Sequence, residues 1–151
     1  MDVRRYVTPG HPLIKSIADQ LETPFDAFKW VCDHLTYVRE ASECWLKPAS
    51  TIMLGYGDCE DLANTLTSII RAMGYPAESV VYRIEYKGRR LYHVVTKVGD
   101  IIFDPSIREI NPGWLKYAKP ILSYNESFIL VHDTDGYRLL ASPPKLSLIH
   151  I

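Results

Sequence analysis

Hydrophobic periodicity predicts two helices in the first third of the chain. Residues 11–22 place apolar side chains at helical spacing behind Pro12, which suits a first helical position. The second helix is predicted to begin after Thr23, an N-cap residue with Asp26 three positions later as an acidic capping box. One apolar stripe predicts the buried face of this helix: Phe28, Val31, Cys32, Leu35 and Val38.

The periodicity lapses between residues 39 and 56, which we interpret as an irregular loop over a site. A third helical pattern follows in GYGDCEDLANTLTSIIRAMGYP, residues 55–76. Asp58 is its predicted N-cap, Asp61 stands three residues later, and Gly74 supplies a stop signal. This pattern makes Cys59 the first residue of a helix.

A cysteine at that position is a candidate nucleophile. Unpaired backbone N–H groups and the positive end of the helix dipole favour a thiolate, so we expect the pKa of Cys59 to be lowered. The carboxylates of Asp58 and Glu60 act in the opposite direction. A catalytic Cys59 therefore requires a cationic partner.

After this helix, period-2 alternation and turn residues predict an antiparallel meander. The three strands are expected within residues 78–86, 89–98 and 100–105. A two-residue turn at Gly99 and Asp100 would place His93 and Asp104 on one face of the sheet, whereas a three-residue loop would separate them. If the Cys59 helix packs on that face, the three side chains supply a nucleophile, a base and an orienting carboxylate.

Composition and charge narrow the function classes. The chain has 151 residues and a net charge of −1, without the basic excess typical of nucleic-acid or membrane-surface proteins. Three cysteines and no signal-peptide pattern favour free thiols and a cytoplasmic location. We predict a single domain over residues 1–145, and treat the apolar tail 146–151 as a candidate non-native segment.

Three blocks in sequence, GYGDCEDLANTLTSIIRAMGYPAESVV, YHVV and IIFDPS, resemble the transglutaminase-like domain of the papain-like cysteine protease superfamily. The resemblance implies Cys59 as nucleophile, His93 as base and Asp104 as orienting residue, with acyl transfer through a thioester. It also suggests Trp45 as a ring N–H donor to the oxyanion. Val94 follows the histidine where members of the family often carry tryptophan.

We therefore expect an α+β fold, with N-terminal helices and a catalytic helix packed on an antiparallel β-sheet. The expected function is a cysteine protease or isopeptidase that hydrolyses amide bonds in a peptide or protein substrate. Transglutaminase-type amine transfer, a noncatalytic peptide-binding module and a structural or virion component are the alternatives. We expect no cofactor or metal, because the proposed chemistry needs only a thiol, an imidazole and a carboxylate. We also expect no zinc site, because Cys32, His34 and Cys44 lack a fourth ligand at a recognisable spacing.

Overall fold

The α-helices among the described residues lie in the N-terminal half of the protein. A computed structural model describes residues 2–39, 44–133 and 136–139. None of the described helices has the length and hydrophobicity needed to cross a membrane. The four α-helices are α1 (Pro12–Ala18), α2 (Pro24–His34), α3 (Pro48–Leu54) and α4 (Cys59–Ala72), and 3-10 helices span Val3–Tyr6 and Gly113–Tyr117.

A seven-stranded antiparallel sheet forms the second layer, with the strand order β6-β5-β4-β3-β7-β8-β9. Two further short strands, β1 (Thr36–Tyr37) and β2 (Tyr56–Gly57), pair in parallel beside it. The sheet strands are β3 (Glu78–Tyr86), β4 (Arg89–Val98), β5 (Ile101–Asp104), β6 (Glu109–Ile110), β7 (Ala118–Tyr124), β8 (Ile129–Asp133) and β9 (Gly136–Leu139). The predicted α+β fold is confirmed.

Helix α4 is the centre of the fold, because α1, α2, α3 and β4 all contact it. It is consequently buried around most of its circumference, including polar positions beyond the predicted apolar face. Thr67 lies 2.9 Å from both the Ser79 and the Thr96 hydroxyl groups on the sheet. The Thr96 hydroxyl in turn donates to the Ala63 carbonyl of the helix. These bonds satisfy the buried hydroxyls and fix α4 against the sheet.

The sequence prediction was wrong for part of the 39–56 segment, where the structure contains α3. Pro48 occupies the first turn of this helix, and Gly55 ends it in the left-handed conformation at φ 83°. The second helix is also shorter than its apolar stripe suggested: it ends at His34 and leaves Val38 41% exposed. The apolar periodicity of the sequence continues to Val38, but the helix itself ends at His34.

Other boundaries agree with the sequence. The predicted capping box at Thr23 is present, and the predicted N-cap Asp58 also forms a capping box with Asp61. Strands β8 and β9 form a hairpin in which Asp133 pairs with Gly136. The predicted domain end at residue 145 and the tail 146–151 lie outside the described residues.

Candidate active site

The start of α4 is held by its two acidic capping residues. The Asp58 carboxylate accepts a hydrogen bond from the Cys59 backbone N–H at 2.7 Å, and Asp61 accepts one from the Asp58 backbone N–H at 3.1 Å. Asp61 also accepts from the Leu46 N–H at 2.9 Å. A Cβ at Gly57 would lie 2.6 Å from the Cβ of Asp61, so only glycine fits this approach. The position of Cys59 is therefore built by local backbone contacts.

His93 and Asp104 meet across β4 and β5. The turn between these strands has two residues and pairs Val98 with Ile101, which is the predicted register. The two side chains consequently share a face, and His93 Nε2 lies 2.7 Å from Asp104 Oδ2. His93 is 4% exposed and Asp104 is fully buried. The sequence-predicted pairing of an imidazole with a carboxylate is thus present.

Two further residues hold the Asp104 carboxylate. Trp114 donates its indole N–H to Oδ2 at 2.9 Å, while Ser106 donates its hydroxyl to Oδ1 at 2.7 Å and its backbone N–H at 3.2 Å. Burial alone would raise the pKa of Asp104, but bonds from His93, Ser106 and Trp114 lower it below its usual value. An ionised Asp104 assigns the proton to His93 Nε2.

The other ring nitrogen of His93 is left available. Nδ1 is buried and has no hydrogen-bond partner among the described residues. With the proton on Nε2, this atom carries a lone pair that can accept a proton. Leaving a buried acceptor without a partner costs free energy, so such an atom in a folded protein calls for an explanation, and a catalytic role is one.

His93 and α4 lie on opposite faces of the sheet. Thr96 and Val94 on β4 point toward α4, since Thr96 bonds to the Ala63 carbonyl and Val94 lies in the same apolar cluster as Cys59. Side chains alternate along a strand, so His93 and its partner Asp104 lie on the opposite face. The sequence argument for the three side chains required α4 to pack on the His93 face, and the structure does not meet that condition.

Cys59 instead approaches the edge of β4 beside His93. Its sulfur accepts a hydrogen bond from the backbone N–H of Val94, the residue after the histidine. Strand β5 pairs with β4 from Thr96 to Val98, so this contact lies where the two strands diverge. The structure thus brings Cys59 next to the histidine's backbone, although the sulfur makes no hydrogen bond to the His93 ring.

The thiol environment also differs from the sequence expectation. Cys59 is fully buried, and its Sγ donates to Glu60 Oε2 at 3.4 Å. Burial, followed by the Glu60 carboxyl, raises the pKa of Cys59 well above its usual value despite the bond from Val94. Burial and the neighbouring Asp58 and Asp61 also raise the pKa of Glu60 to about 8. Desolvation outweighs the helix dipole here, so Cys59 rests as a neutral thiol.

Trp45 lies in the same hydrophobic cluster as Cys59 and is 6% exposed. Its ring packs edge-on against Tyr6 and stacks on Tyr124, with centroids 5.4 and 6.2 Å away. Its suggested role as an oxyanion donor stays a prediction. Asp58, Cys59 and Glu60 have potential metal-ligand atoms within 4.8 Å of one another, the one such group found in the described part of the chain.

An open cavity of about 520 Å³ lies on the His93 face of the sheet. His93, Asp104 and Ser106 form its polar end, together with Tyr37, whose hydroxyl bonds to the Asp58 side chain. We call this cavity the His93 groove. Its other walls are chiefly apolar or aromatic and are formed by Ile84, Tyr86, Leu91, Ile107, Trp114 and Tyr117.

Sequence reasoning missed the residues that support Asp104. Ser106 had a local signal, since a residue two positions after an aspartate commonly donates its N–H to that carboxylate. Trp114 had no such signal, because it is ten residues from Asp104 along the chain and reaches it only through the 3-10 helix. Tyr37 likewise joins the groove only through the fold.

The fold and the Gly-Asp-Cys, His and Asp arrangement together define the class of this protein. A sequence profile of the Transglutaminase-like superfamily matches residues 10–115, and the chain belongs to that superfamily. A comparison with curated protein sequences finds no match.

Solved structures share the fold at low sequence identity. A candidate cysteine protease from Cytophaga hutchinsonii superposes with a TM-score of 0.63 and 19% identity over 80% of this chain. The present chain spans only 44% of that protein. LapG from Legionella pneumophila gives TM-scores of 0.58 after EGTA treatment (19% identity, 84% of this chain and 87% of LapG) and 0.52 with calcium bound (18% identity, 91% of each chain).

Proposed function

We propose that this protein is a cysteine-nucleophile amide hydrolase, a protease or isopeptidase, that uses Cys59, His93 and Asp104. The proposal is carried by the 2.7 Å bond from His93 to Asp104 together with the buried Nδ1 of the same ring, which has no hydrogen-bond partner within the described part of the chain. This is the arrangement required of a general base whose second nitrogen is oriented by a carboxylate. Membership of the superfamily and a neighbour described as a candidate cysteine protease support it.

The reaction needs the Cys59 thiol to leave Glu60 and reach His93 Nδ1. His93 takes the thiol proton while sulfur forms a bond to the substrate carbonyl carbon. His93 then gives the proton to the departing nitrogen as the C–N bond breaks, which leaves a thioester on Cys59. Water attacks that thioester, loses a proton to His93, and releases the acid with the thiol restored.

The neutral thiol and the hydrogen-bonded Asp104 favour this order of events. A neutral Cys59 requires a base at the moment of attack, and the imidazolium that forms is stabilised by the ionised Asp104 carboxylate. The Cys59 backbone N–H is a candidate oxyanion donor. It donates to the Asp58 carboxylate in this structure, so it would have to leave Asp58 to bind an oxyanion. Because Cys59 is fully buried, substrate binding must also uncover the sulfur.

Digestion of a peptide library, read by mass spectrometry, tests the proposal. Wild-type protein is expected to cleave a subset of peptides, and Cys59→Ala to cleave none. His93→Ala should lower the rate by roughly 10²–10⁴-fold, the usual contribution of a general base. His34→Ala is the matched control, because His34 is an exposed histidine on α2.

The assay is run with calcium and with EGTA, since the LapG neighbour was solved in both states. A labelled amine added in parallel tests the transfer alternative: incorporation into glutamine without hydrolysis would replace the hydrolase proposal by transglutaminase chemistry. Equal alkylation rates of Cys59 in wild type and His93→Ala, with no cleavage, would instead favour a noncatalytic peptide-binding module.

A further inference from the structure

The His93 groove has a defined position relative to the reacting groups. His93 and Asp104 line it, whereas Cys59 is absent from its described walls. In the proposed mechanism the histidine gives its proton to the departing nitrogen, so the substrate on the amine side of the bond must lie beside the imidazole. From His93 the groove extends over Ile84, Tyr86 and Leu91, which share its sheet face because side chains alternate along β3 and β4.

The walls of the groove favour a large apolar side chain. Tyr86, Ile107 and Tyr117 are each more than two-fifths exposed, although they stand together around one concavity. The Tyr86 and Tyr117 rings approach to 4.7 Å between centroids and form one end. A volume of about 520 Å³ is large enough for an aromatic side chain, and burying one removes roughly 150–250 Å² from water.

The rim of the groove is basic. Lys116 lines it, with Nζ 5.2 Å from the Tyr117 ring centroid, and Lys87 lies at the same distance over the Tyr86 ring. The nearby acid Glu85 is already engaged by Arg83 and Arg90, at 3.3 and 3.2 Å. A carboxylate that follows the apolar residue of a ligand would therefore meet net positive charge.

We propose that the His93 groove binds the amine side of the substrate and selects a bulky apolar residue followed by an acidic one. This inference rests on the proposed function for its orientation. It holds for hydrolysis and for amine transfer, because an entering amine occupies the position that a departing amine leaves. The chemical class is a peptide segment with a free or departing amino group on phenylalanine, tyrosine, leucine or isoleucine.

Binding of dipeptide amides tests the groove without requiring turnover. The probes are Phe-Glu, Gly-Glu and Phe-Lys amides, titrated into the full chain while the indole N–H resonance of Trp114 is followed by NMR. Phe-Glu amide is expected to bind at least about tenfold more tightly than Gly-Glu amide, the usual discrimination of an apolar pocket. Its advantage over Phe-Lys amide should be roughly two- to fivefold, as for an exposed ion pair.

Matched variants locate the effect. Tyr117→Ser should reduce the Phe-Glu to Gly-Glu ratio to about threefold or less. Tyr56→Ser should leave it unchanged, because Tyr56 is similarly exposed, at 40% against 43%, and lies outside the groove walls. Lys116→Gln should remove the preference for glutamate over lysine. Thermal melts of both tyrosine variants establish that any loss is local.

Failure of the groove and failure of the proposed function give different results. Equal binding of Phe-Glu and Gly-Glu amides, or an unchanged ratio in Tyr117→Ser, overturns the groove assignment even if the protein cleaves peptides. Equal binding of Phe-Glu and Phe-Lys amides overturns the acidic preference. Where peptides are cleaved, enrichment of bulky apolar residues on the acyl side instead of the amine side overturns the orientation.

Discussion

Glu60 provides a sharp test of the electrostatics around Cys59. Its carboxyl is 1% exposed, and burial together with Asp58 and Asp61 raises its pKa to about 8, against an ordinary value of 4.5. The folded protein therefore holds a proton on Glu60 that the unfolded chain releases above pH 4.5. We expect Glu60→Gln, which keeps the shape of a neutral carboxyl, to remove this difference.

The sign and size follow from proton linkage. A pKa raised in the folded state means that the stabilisation from the bound proton is complete below the unfolded pKa of 4.5 and is lost as the pH rises to about 8. The whole interval corresponds to roughly 5 kcal/mol of unfolding free energy, at about 1.36 kcal/mol per pH unit. Glutamine does not titrate, so the free energy of unfolding of the variant should not fall over this pH interval for this reason.

Urea unfolding of both proteins at about pH 5, 6.5 and 8.5, in EGTA, measures the effect. Wild type and Glu60→Gln should be similar at the lowest pH, and the variant should be several kcal/mol more stable at the highest. Glu109→Gln is the control, because Glu109 is an exposed glutamate on β6. Parallel stability curves for wild type and Glu60→Gln would refute the assignment of a neutral, desolvated carboxyl beside Cys59.

Two further substitutions test the support of the site. Gly57→Ala should lower the free energy of unfolding by about 1–3 kcal/mol, the usual cost of overpacking, because the new Cβ would lie 2.6 Å from the Cβ of Asp61. Gly10→Ala is the control and should be nearly neutral, because a Cβ there would have no described atom within 4 Å. Urea titration measures both variants. Trp114→Phe keeps an aromatic side chain but removes the indole N–H that donates to Asp104. The pKa of the Asp104 carboxyl should therefore rise toward its ordinary value. Carbon-detected NMR titration should then show Asp104 protonating at higher pH than in wild type, and an unchanged titration would contradict the role assigned to the indole N–H.

Much of the geometry of the candidate site was predictable because it depends on local rules. Asp58 and Asp61 form a capping box through bonds within four residues, so the position of Cys59 at a helix start could be derived from spacing. The pairing of His93 with Asp104 follows from a two-residue turn and the alternation of side chains along a strand.

The relation of the nucleophile to the histidine was not predictable in the same way. The alternation of side chains along the strands places His93 and Asp104 on a common face of the sheet. It does not determine the face on which α4 packs. That choice is made by Thr67, Thr96 and the apolar residues between helix and sheet, which place α4 on the other side. The same packing buries Glu60 and the thiol, and so reverses the expected direction of the Cys59 pKa shift.

The sequence by itself therefore determined the starts of α1, α2 and α4, the strands around His93 and the order of the candidate catalytic residues. Each of these depends on dihedral preferences and periodicity within a few residues. The tertiary structure alone decided which sheet face carries the groove, how deeply Cys59 and Glu60 are buried, and that Trp114 supports Asp104. These features depend on contacts between layers that are distant in sequence, and desolvation energies exist only once those layers have closed around a charge.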